Sequence, residues 1–306
     1  MANIIEVNAL TKRFGENIVL DNINFSIEKG SIFGLIGKSG CGKTTLLNLL
    51  IGYTRPNRGS ISYNGKNVEK IGTALGRITG FASQEGSFYK KLTVAENLRY
   101  FGRLYGYPSN IIKERMEILL GSFGLQDAEH TLGQNLSIGM QKRLDIACAL
   151  IHDPDILILD EPTANLDPAL RKNILELIKK INESGTTIII SSHILDDINT
   201  LCNKVLVIEN KRIIAFGTPR DLEMQLSQKD IIKIESELKK YDYLISSLVS
   251  KNLIDNYEVN EGVLSLHTKD TKNTLKHITN YFGRGGDGLV NIDIVKPSLG
   301  NIFERE

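Results

Sequence analysis

Short apolar runs alternate with turn residues over the first 36 positions of the chain. Turn signals at residues 15–17 and 28–30 divide residues 4–36 into strand-length segments, and the last apolar run covers residues 32–36. Runs of this length, bounded by glycine and asparagine, are typical of β-strands joined by tight turns. The pattern predicts an antiparallel β region that leads into residue 37.

The spacing of apolar residues becomes helical between residues 93 and 136, where two helical segments lie on either side of Pro108. Two uninterrupted apolar runs come later, at 156–159 and 187–190, with a helical segment between them. Strands that are apolar on both faces are typical of a buried parallel sheet with crossover helices. We therefore expect an α/β domain with a helical insertion at about residues 93–150.

The composition changes after residue 222, where the apolar runs repeat an order of strand, helix and strand. The predicted segments are strands 231–234, 263–266 and 290–295 and helices 238–249 and 275–282. This pattern divides the chain into a large domain of residues 1–222 and a small α+β domain of residues 223–306. The glycine-rich stretch 283–288 contains a single arginine, which favours a hairpin loop over a nucleic-acid contact.

The charges nearly cancel, because 37 lysines and arginines against 36 aspartates and glutamates leave a net charge of +1. Such a chain has no overall field that attracts nucleic acid, so no nucleic-acid partner is expected. Three cysteines without metal-ligand spacing fit a reducing, cytosolic compartment. The first residues do not resemble a secretion signal, and no apolar run approaches the roughly 20 residues that cross a bilayer. If the protein acts at a membrane, we expect another chain to span it.

Residues 37–45 contain a complete Gly-x-x-x-x-Gly-Lys-Thr phosphate loop, between the apolar run 32–36 and a helix-like run at 46–50. Its glycines allow backbone N–H groups to turn toward a phosphate chain. Lys43 supplies a positive charge, and Thr44 can place its hydroxyl on Mg²⁺. We expect a nucleoside triphosphate to bind here, to Gly37, Lys38, Ser39, Gly40, Cys41, Gly42, Lys43, Thr44 and Thr45.

Two adjacent carboxylates, Asp160 and Glu161, end the apolar strand 156–159. The phosphate loop follows a strand of the same predicted sheet, and the carboxyl ends of parallel strands lie at one edge. Asp160 is therefore predicted to hold Mg²⁺, and Glu161 to act as general base on a water beyond the γ-phosphate. An acidic cap or a solvated turn is the alternative.

Further motifs follow in a fixed order along the chain. They are Gln84 after the apolar segment 78–82, Leu-Ser-Ile-Gly-Met-Gln at 136–141, Asn-Leu-Asp at 165–167, and His193 after the strand 187–190. Together with the phosphate loop and the acidic pair, this set resembles the ATP-binding subunits of ABC transporters over residues 4–222. The resemblance implies the ABC cassette, a P-loop NTPase fold with an antiparallel β subdomain and a helical insertion. It also implies an ATPase that uses ATP and Mg²⁺.

The segment that resembles the family's signature motif starts a helix, so the Ser137 hydroxyl and the free amides near Gly139 form an anion-binding end. An ordinary helix cap would look the same. The resemblance implies that this end contacts ATP bound by a second ATPase subunit, in a homodimer or a heterodimer. Asp167 would serve that subunit interface, or cap the helix that begins at Pro168.

The remaining candidates are assigned by position. His193 ends a strand, where its imidazole can donate to the γ-phosphate or orient the attacking water, and it joins Glu161 and Lys43 as a predicted catalytic residue. Gln84 offers an amide oxygen to Mg²⁺ or to water. Phe14 stands where the family stacks an aromatic ring on adenine. The alternatives are a structural histidine, a surface glutamine and a core phenylalanine.

The signature motif departs from the family's usual Leu-Ser-Gly-Gly-Gln, with Ile138 at the first glycine and Met140 at the glutamine. A β-branched residue adds bulk where a phosphate must approach closely. We expect either weakened hydrolysis or a heterodimer in which the defect affects the ATP held by the partner.

The resemblance implies the ATP-hydrolysing subunit of an ABC transporter, bound to separate membrane-spanning permease subunits on the cytoplasmic side of the cell membrane. The segments 84–89 and 92–98 and the tail 296–303 resemble those of drug and antibiotic exporters. One alternative is a soluble ABC ATPase that acts on DNA or ribosomes. Another is a nucleotide-sensing module that binds ATP without hydrolysing it.

Overall fold

The computed structural model describes residues 2–226, 230–260, 262–268, 270–283 and 287–295. By its internal contacts the chain divides into two compact units, Met1–Pro219 and Arg220–Glu306. Within the described residues, no helix is both long and apolar enough to cross a membrane. Each unit has its own hydrophobic core.

The first unit is built from two sheets with helices. Its strands are β1 (Asn3–Phe14), β2 (Asn17–Glu28), β3 (Ile32–Ile36), β4 (Arg58–Tyr63), β5 (Lys66–Asn67), β6 (Thr79–Ala82), β7 (Ile156–Asp160), β8 (Thr187–Ser192), β9 (Lys204–Glu209) and β10 (Arg212–Gly217). Its helices are α1 (Lys43–Leu50), α2 (Val68–Ile71), α3 (Leu75–Ile78), α4 (Val94–Leu104), α5 (Ser109–Phe123), α6 (Ile138–Leu150), α7 (Pro168–Glu183) and α8 (Leu195–Leu201), and α9 (Pro219–Leu226) crosses into the second unit.

The central sheet has the order β10-β9-β3-β8-β7-β6. Its strands from β9 to β6 run parallel, and every residue of β3, β7 and β8 is buried. Full burial explains why these strands read as uninterrupted apolar runs, since helices cover both faces of a parallel sheet. The sheet brings the carboxyl ends of β3, β7 and β8 to one edge, where the polar candidates follow in sequence.

The antiparallel sheet has the order β2-β1-β4-β5. It shares a core with α1, whose four leucines are buried in the same cluster as Ile5 of β1 and Phe33 of β3. Burying one leucine side chain stabilises a fold by about 2 kcal/mol. The helix that follows the phosphate loop is therefore fixed between its neighbours by apolar contacts.

The helical region contains α4, α5 and α6, and it packs on the central sheet through α6, which contacts β6 and β7. A capping box starts α4, in which Thr93 and Glu96 exchange hydrogen bonds with each other's backbone N–H. Asn97 is fully buried, and its amide donates to the carbonyls of Tyr89 and Thr93. These bonds join the start of α4 to the loop that precedes it.

The second unit follows the order β11 (Asp230–Ser236), α10 (Asp242–Ser250), β12 (Asn256–Asn260), β13 (Val263–Thr268), α11 (Thr271–Phe282) and β14 (Leu289–Val295). Its antiparallel sheet has the order β12-β13-β11-β14, which is the βαββαβ topology of ferredoxin-like domains. Its core includes Ile232, Leu244, Leu266 and Ile278.

Three details of this unit differ from the sequence-based expectation, and the first is that α11 begins at Thr271 rather than at residue 275. The strand β12 was not predicted, because it is an edge strand whose five residues are all exposed and only two of them, Tyr257 and Val259, are apolar. The helix α10 begins at Asp242 rather than at residue 238. The centre of the predicted hairpin loop, residues 284–286, and the tail 296–306 lie outside the described residues.

Candidate functional site

A cavity of about 610 Å³ opens at the carboxyl edge of the central sheet, next to the phosphate loop. Its lining residues come from the loop, from the ends of β7 and β8, from the loop after β6, and from β1 and β2. They are Phe14, Val19, Ser39, Gly40, Gly42, Lys43, Thr44, Thr45, Gln84, Asp160, Glu161 and His193. The structure therefore brings most of the sequence-predicted site residues into one pocket.

The phosphate loop has the backbone shape that its glycines allow. Gly42 has a φ of 110°, in the left-handed region, and directly precedes the first residue of α1. Gly37 is packed so closely that an added Cβ would lie 2.2 Å from Cys41 Sγ and 2.6 Å from the carbonyl oxygen of Ile208. The amide end of α1 is thereby directed at the pocket, where a helix N-terminus favours an anion.

Lys43 is the buried cation of this pocket, with 7% of its surface exposed. Its Nζ donates to the carbonyl oxygen of Gly37 (2.7 Å) and lies 3.6 Å from Glu161 Oε1. The ammonium is thus held between the loop backbone and a carboxylate. A buried ammonium next to free amides can bind a phosphate as a point charge.

Asp160 is buried at the end of β7, and both of its oxygens accept hydrogen bonds. Thr44 Oγ1 donates to Oδ2 (3.0 Å), and Ser191 Oγ donates to Oδ1 (2.5 Å). The same Ser191 Oγ accepts from the Glu161 N–H (2.9 Å). Ser191 therefore aligns both acidic residues from the neighbouring strand. Its role was not predicted, although a serine directly after the run of isoleucines at 188–190 is a signal that could have identified it.

Glu161 and His193 form a direct pair across the ends of β7 and β8. His193 Nδ1 lies 2.7 Å from Glu161 Oε2, and the His193 N–H donates to the same oxygen (3.4 Å). Because an ionised carboxylate only accepts hydrogen bonds, Nδ1 carries the proton in this arrangement. Glu161 has a φ of 50°, which is rare for a residue with a Cβ, and it lines the pocket.

Phe14 lies in the pocket wall with 55% of its surface exposed, which excludes the alternative of a core phenylalanine. The Nζ atom of Lys12 lies 4.7 Å from the centre of the Phe14 ring, at cation–π distance. Lys12 itself is buried, and it donates to Thr54 Oγ1 and to the carbonyl oxygen of Arg55 (both 2.8 Å). These contacts hold the ring in place beside the cavity.

Five of the predicted binding residues do not line the pocket: Gly37, Lys38, Cys41, Ser137 and Gly139. The Cys41 thiol is partly buried, and burial raises its pKa. Ser137 caps α6, and its Oγ accepts from the Met140 N–H (3.3 Å). Within this chain, the start of α6 therefore does not contribute to the lining of the pocket.

Asp167 caps α7, as the alternative considered for it required. Its Oδ1 accepts from the N–H groups of Ala169 (3.0 Å) and Leu170 (2.9 Å), and Pro168 occupies the first helical position. An N-cap of this kind stabilises a helix by about 1 kcal/mol. Its role at a subunit interface stays a prediction.

A parallel sheet with a phosphate loop between β3 and α1 and an aspartate at the end of β7 defines a P-loop nucleoside triphosphatase. Comparison with known proteins gives the family. The model of the ABC transporter family matches residues 20–164. The chain belongs to the ABC transporter family, as an ATP-binding subunit that hydrolyses ATP.

Individual relatives match over most of their length. Nod factor export ATP-binding protein I of Ralstonia nicotianae is 37% identical over 231 residues, which is 76% of this chain and 72% of the relative. Linearmycin resistance ATP-binding protein LnrL of Bacillus subtilis is 30% identical over 305 residues, or 98% of this chain and 97% of the relative. The match to LnrL therefore includes the second unit.

Solved structures agree with the fold. That of cbiO1 from Clostridium perfringens, part of the ABC transporter complex cbiONQ, has a TM-score of 0.69 and 28% identity, and it covers 74% of this chain and 92% of that chain. The predicted fold class and the predicted binding of ATP are confirmed. The names of the relatives give no support to the alternative of a soluble ABC ATPase acting on DNA or ribosomes.

Proposed function

We propose that this chain drives an ABC exporter from the cytoplasmic side of the cell membrane, as a peripheral subunit bound to separate membrane-spanning permease subunits. One observation carries the proposal: the pocket gathers groups for phosphate binding and for hydrolysis, yet Ser137 and Gly139 lie outside it. A site of this kind is incomplete in one chain. The names of the Nod factor export and linearmycin resistance relatives support export as the direction.

The residues of the pocket fit a Mg²⁺ ion. Thr44 Oγ1 and Asp160 Oδ2 lie 3.0 Å apart, and Gln84 lines the same cavity. Mg²⁺ prefers oxygen ligands, and it is commonly bound by one or two protein oxygens together with waters and substrate phosphates. We assign Thr44, Asp160 and Gln84 as its ligands, direct or through water. When bound, the ion would neutralise charge on the β- and γ-phosphates.

The side chains and backbone amides of the pocket are proposed to bind the phosphates and the base and to activate the attacking water. Lys43 and the amides of the phosphate loop bind the β- and γ-phosphates, and Phe14 stacks on the base, which contributes about 1 kcal/mol. Glu161 takes a proton from the attacking water, and His193 is held beside it through Nδ1. For Nε2 to donate to the γ-phosphate while Nδ1 stays bound to Glu161, the ring must carry both protons.

The start of α6 is proposed to act on ATP that is bound by a second ATPase subunit. Ser137 is exposed and Gly139 is buried, and the free amides of α6 form an anion-binding end. ATP binding would close two chains over the nucleotide, and hydrolysis would reopen them. The permease subunits would convert this movement into transport.

Affinity purification of the tagged chain from detergent-solubilised membranes tests the proposed function. We expect a multispanning membrane protein to co-purify with the wild-type chain. Recovery of soluble ribosomal or DNA-binding partners alone would overturn the proposal. The same purification from cells that express an untagged chain identifies background proteins.

Ile138 gives a first prediction about the proposed contact between the start of α6 and ATP bound by a second ATPase subunit. Its side chain is 65% exposed at the first position of α6, where close approach of a phosphate would be hindered. We expect Ile138→Gly to raise ATP turnover about threefold, because the added bulk is removed. Steady-state phosphate release measures the effect. Ile118→Gly, at an exposed isoleucine of α5, is the control and should not raise turnover. Unchanged turnover in Ile138→Gly would refute the proposed defect.

A further inference from the structure

The loop that carries Gln84 is held in place by one helix, α6. Lys142 Nζ donates to the carbonyl oxygens of Ser83 (3.4 Å) and Gln84 (3.1 Å). These two carbonyls belong to the first residues after β6. The position of the Gln84 backbone at the pocket therefore depends on a side chain of α6.

The far side of the same loop is held by Asp145, one turn further along α6. Asp145 is 1% exposed, and its Oδ1 accepts from the Ser87 N–H (2.5 Å). Residues three apart on a helix lie on the same face, so Lys142 and Asp145 can both form hydrogen bonds to this loop. The loop also bonds to itself, because Ser87 Oγ donates to Ser83 Oγ (3.3 Å).

The two charges support each other at this position. Burial lowers the pKa of the Lys142 ammonium, while the carboxylates of Asp145, Asp160 and Glu161 favour its charged form. Burial raises the pKa of the Asp145 carboxyl to about 6, against the Ser87 N–H bond and the Lys142 charge. Among the described residues, Asp145 Oδ2 is a buried oxygen without a hydrogen-bond partner. Burying a carboxylate oxygen without a partner costs free energy. The other oxygen of Asp145, Oδ1, is the one that bonds to the loop.

The same helix carries two functional segments. It starts with Ser137 as its cap, and Lys142 and Asp145 lie one to two turns further on. Residues 144–150 of α6 are buried, so the helix moves as a rigid element. The Ser137 end and the two side chains that bond to the Gln84 loop therefore belong to one helix.

We propose that Lys142 and Asp145 are positioning residues for hydrolysis, which hold the Gln84 loop of one ATP site to the helix whose start serves the ATP of the partner subunit. This inference rests on the proposed role of Gln84 in the pocket and of Ser137 across the subunit interface. Neither residue lines the pocket. Their effect on turnover therefore passes through Gln84.

A double-mutant cycle tests this route. We expect Lys142→Met to lower kcat for ATP about tenfold, with KM changed less than about threefold, and Gln84→Ala to lower kcat by a similar factor. In the Gln84→Ala background, Lys142→Met should cost less than about twofold, because the two residues act through one path. An equal loss from Lys142→Met in both backgrounds would overturn the proposal. Wild-type kcat in either single variant would overturn it too.

Conservative variants separate positioning from a general loss of fold. Lys142→Arg keeps donors for the two carbonyls, and Asp145→Asn keeps an acceptor for the Ser87 N–H, so both should retain at least half of the wild-type kcat. Asp145→Ala should lose kcat as Lys142→Met does. Lys113→Met, at an exposed lysine of α5, is the matched control and should be unchanged. If Lys142→Arg loses as much kcat as Lys142→Met at an unchanged Tm, the positioning role is refuted.

Failure of this inference is distinguishable from failure of the proposed function. The double-mutant cycle of Lys142 and Gln84 measures only how the two residues depend on each other in kcat. If the cycle is additive but a multispanning protein still co-purifies, only the positioning role is lost.

Discussion

Glu161→Gln is expected to lower ATP turnover about a thousandfold while ATP binding is retained. General base catalysis contributes about 10²–10⁴-fold, and an amide cannot take a proton from water. The replacement is isosteric, and its amide oxygen can still accept from His193 Nδ1, which lies 2.7 Å from the carboxylate. Loss of the negative charge also removes its repulsion toward the γ-phosphate.

Phosphate release and binding of a fluorescent ATP analogue measure the two halves of this prediction. Glu183→Gln, at the end of α7 and outside the pocket, is the control and should hydrolyse ATP at the wild-type rate. Wild-type turnover in Glu161→Gln would refute Glu161 as the base. A loss of ATP binding would instead show that Glu161 is needed for the pocket to bind ATP.

Lys43→Ala is expected to weaken ATP binding at least about 100-fold. Hydrogen bonds to charged groups are worth about 1.5–3 kcal/mol each, and the Lys43 ammonium is the buried cation that the phosphates approach. Its removal also leaves Glu161, whose Oε1 lies 3.6 Å from Nζ, facing the phosphates without a neutralising charge. The loss of the ammonium and the unneutralised charge of Glu161 therefore both weaken ATP binding.

Titration calorimetry with ATP and Mg²⁺ measures this affinity. Lys29→Ala, at an exposed lysine in the turn after β2, is the matched control and should bind ATP as the wild type does. Binding by Lys43→Ala within about threefold of the wild type would show that the loop amides suffice, which contradicts the role given to Lys43.

The pocket could be predicted from the sequence because its chemistry lies in short local motifs. The phosphate loop and the Asp160–Glu161 pair each adjoin an apolar strand, and parallel strands place their carboxyl ends at one edge. His193 follows the same rule. Strand order, which sets β8 between β3 and β7, needed the structure.

Other parts of the site could not be predicted because they depend on contacts that are distant in sequence. Lys142 and Asp145 are ordinary polar residues of a helix, and each bonds to a backbone group 58 or 59 residues earlier in the chain. Ser191 carried only a weak local signal. The exposed strand β12 was missed although Tyr257 and Val259 alternate with polar residues, because only these two apolar positions mark it.

We propose that ATP bound in this pocket is enclosed by a second ATPase subunit. The Glu161→Gln chain allows a direct test, since it should hold ATP without hydrolysing it. A Glu161→Gln chain that also carries Ser137→Ala is the control, and it should form fewer dimers.

The decisive measurement is the mass in solution of the purified Glu161→Gln chain, by light scattering, with ATP and Mg²⁺ and again with ADP. We expect twice the mass of one chain with ATP and the mass of a single chain with ADP. A single chain in both nucleotides, at every protein concentration and with ATP shown to be bound, would contradict it.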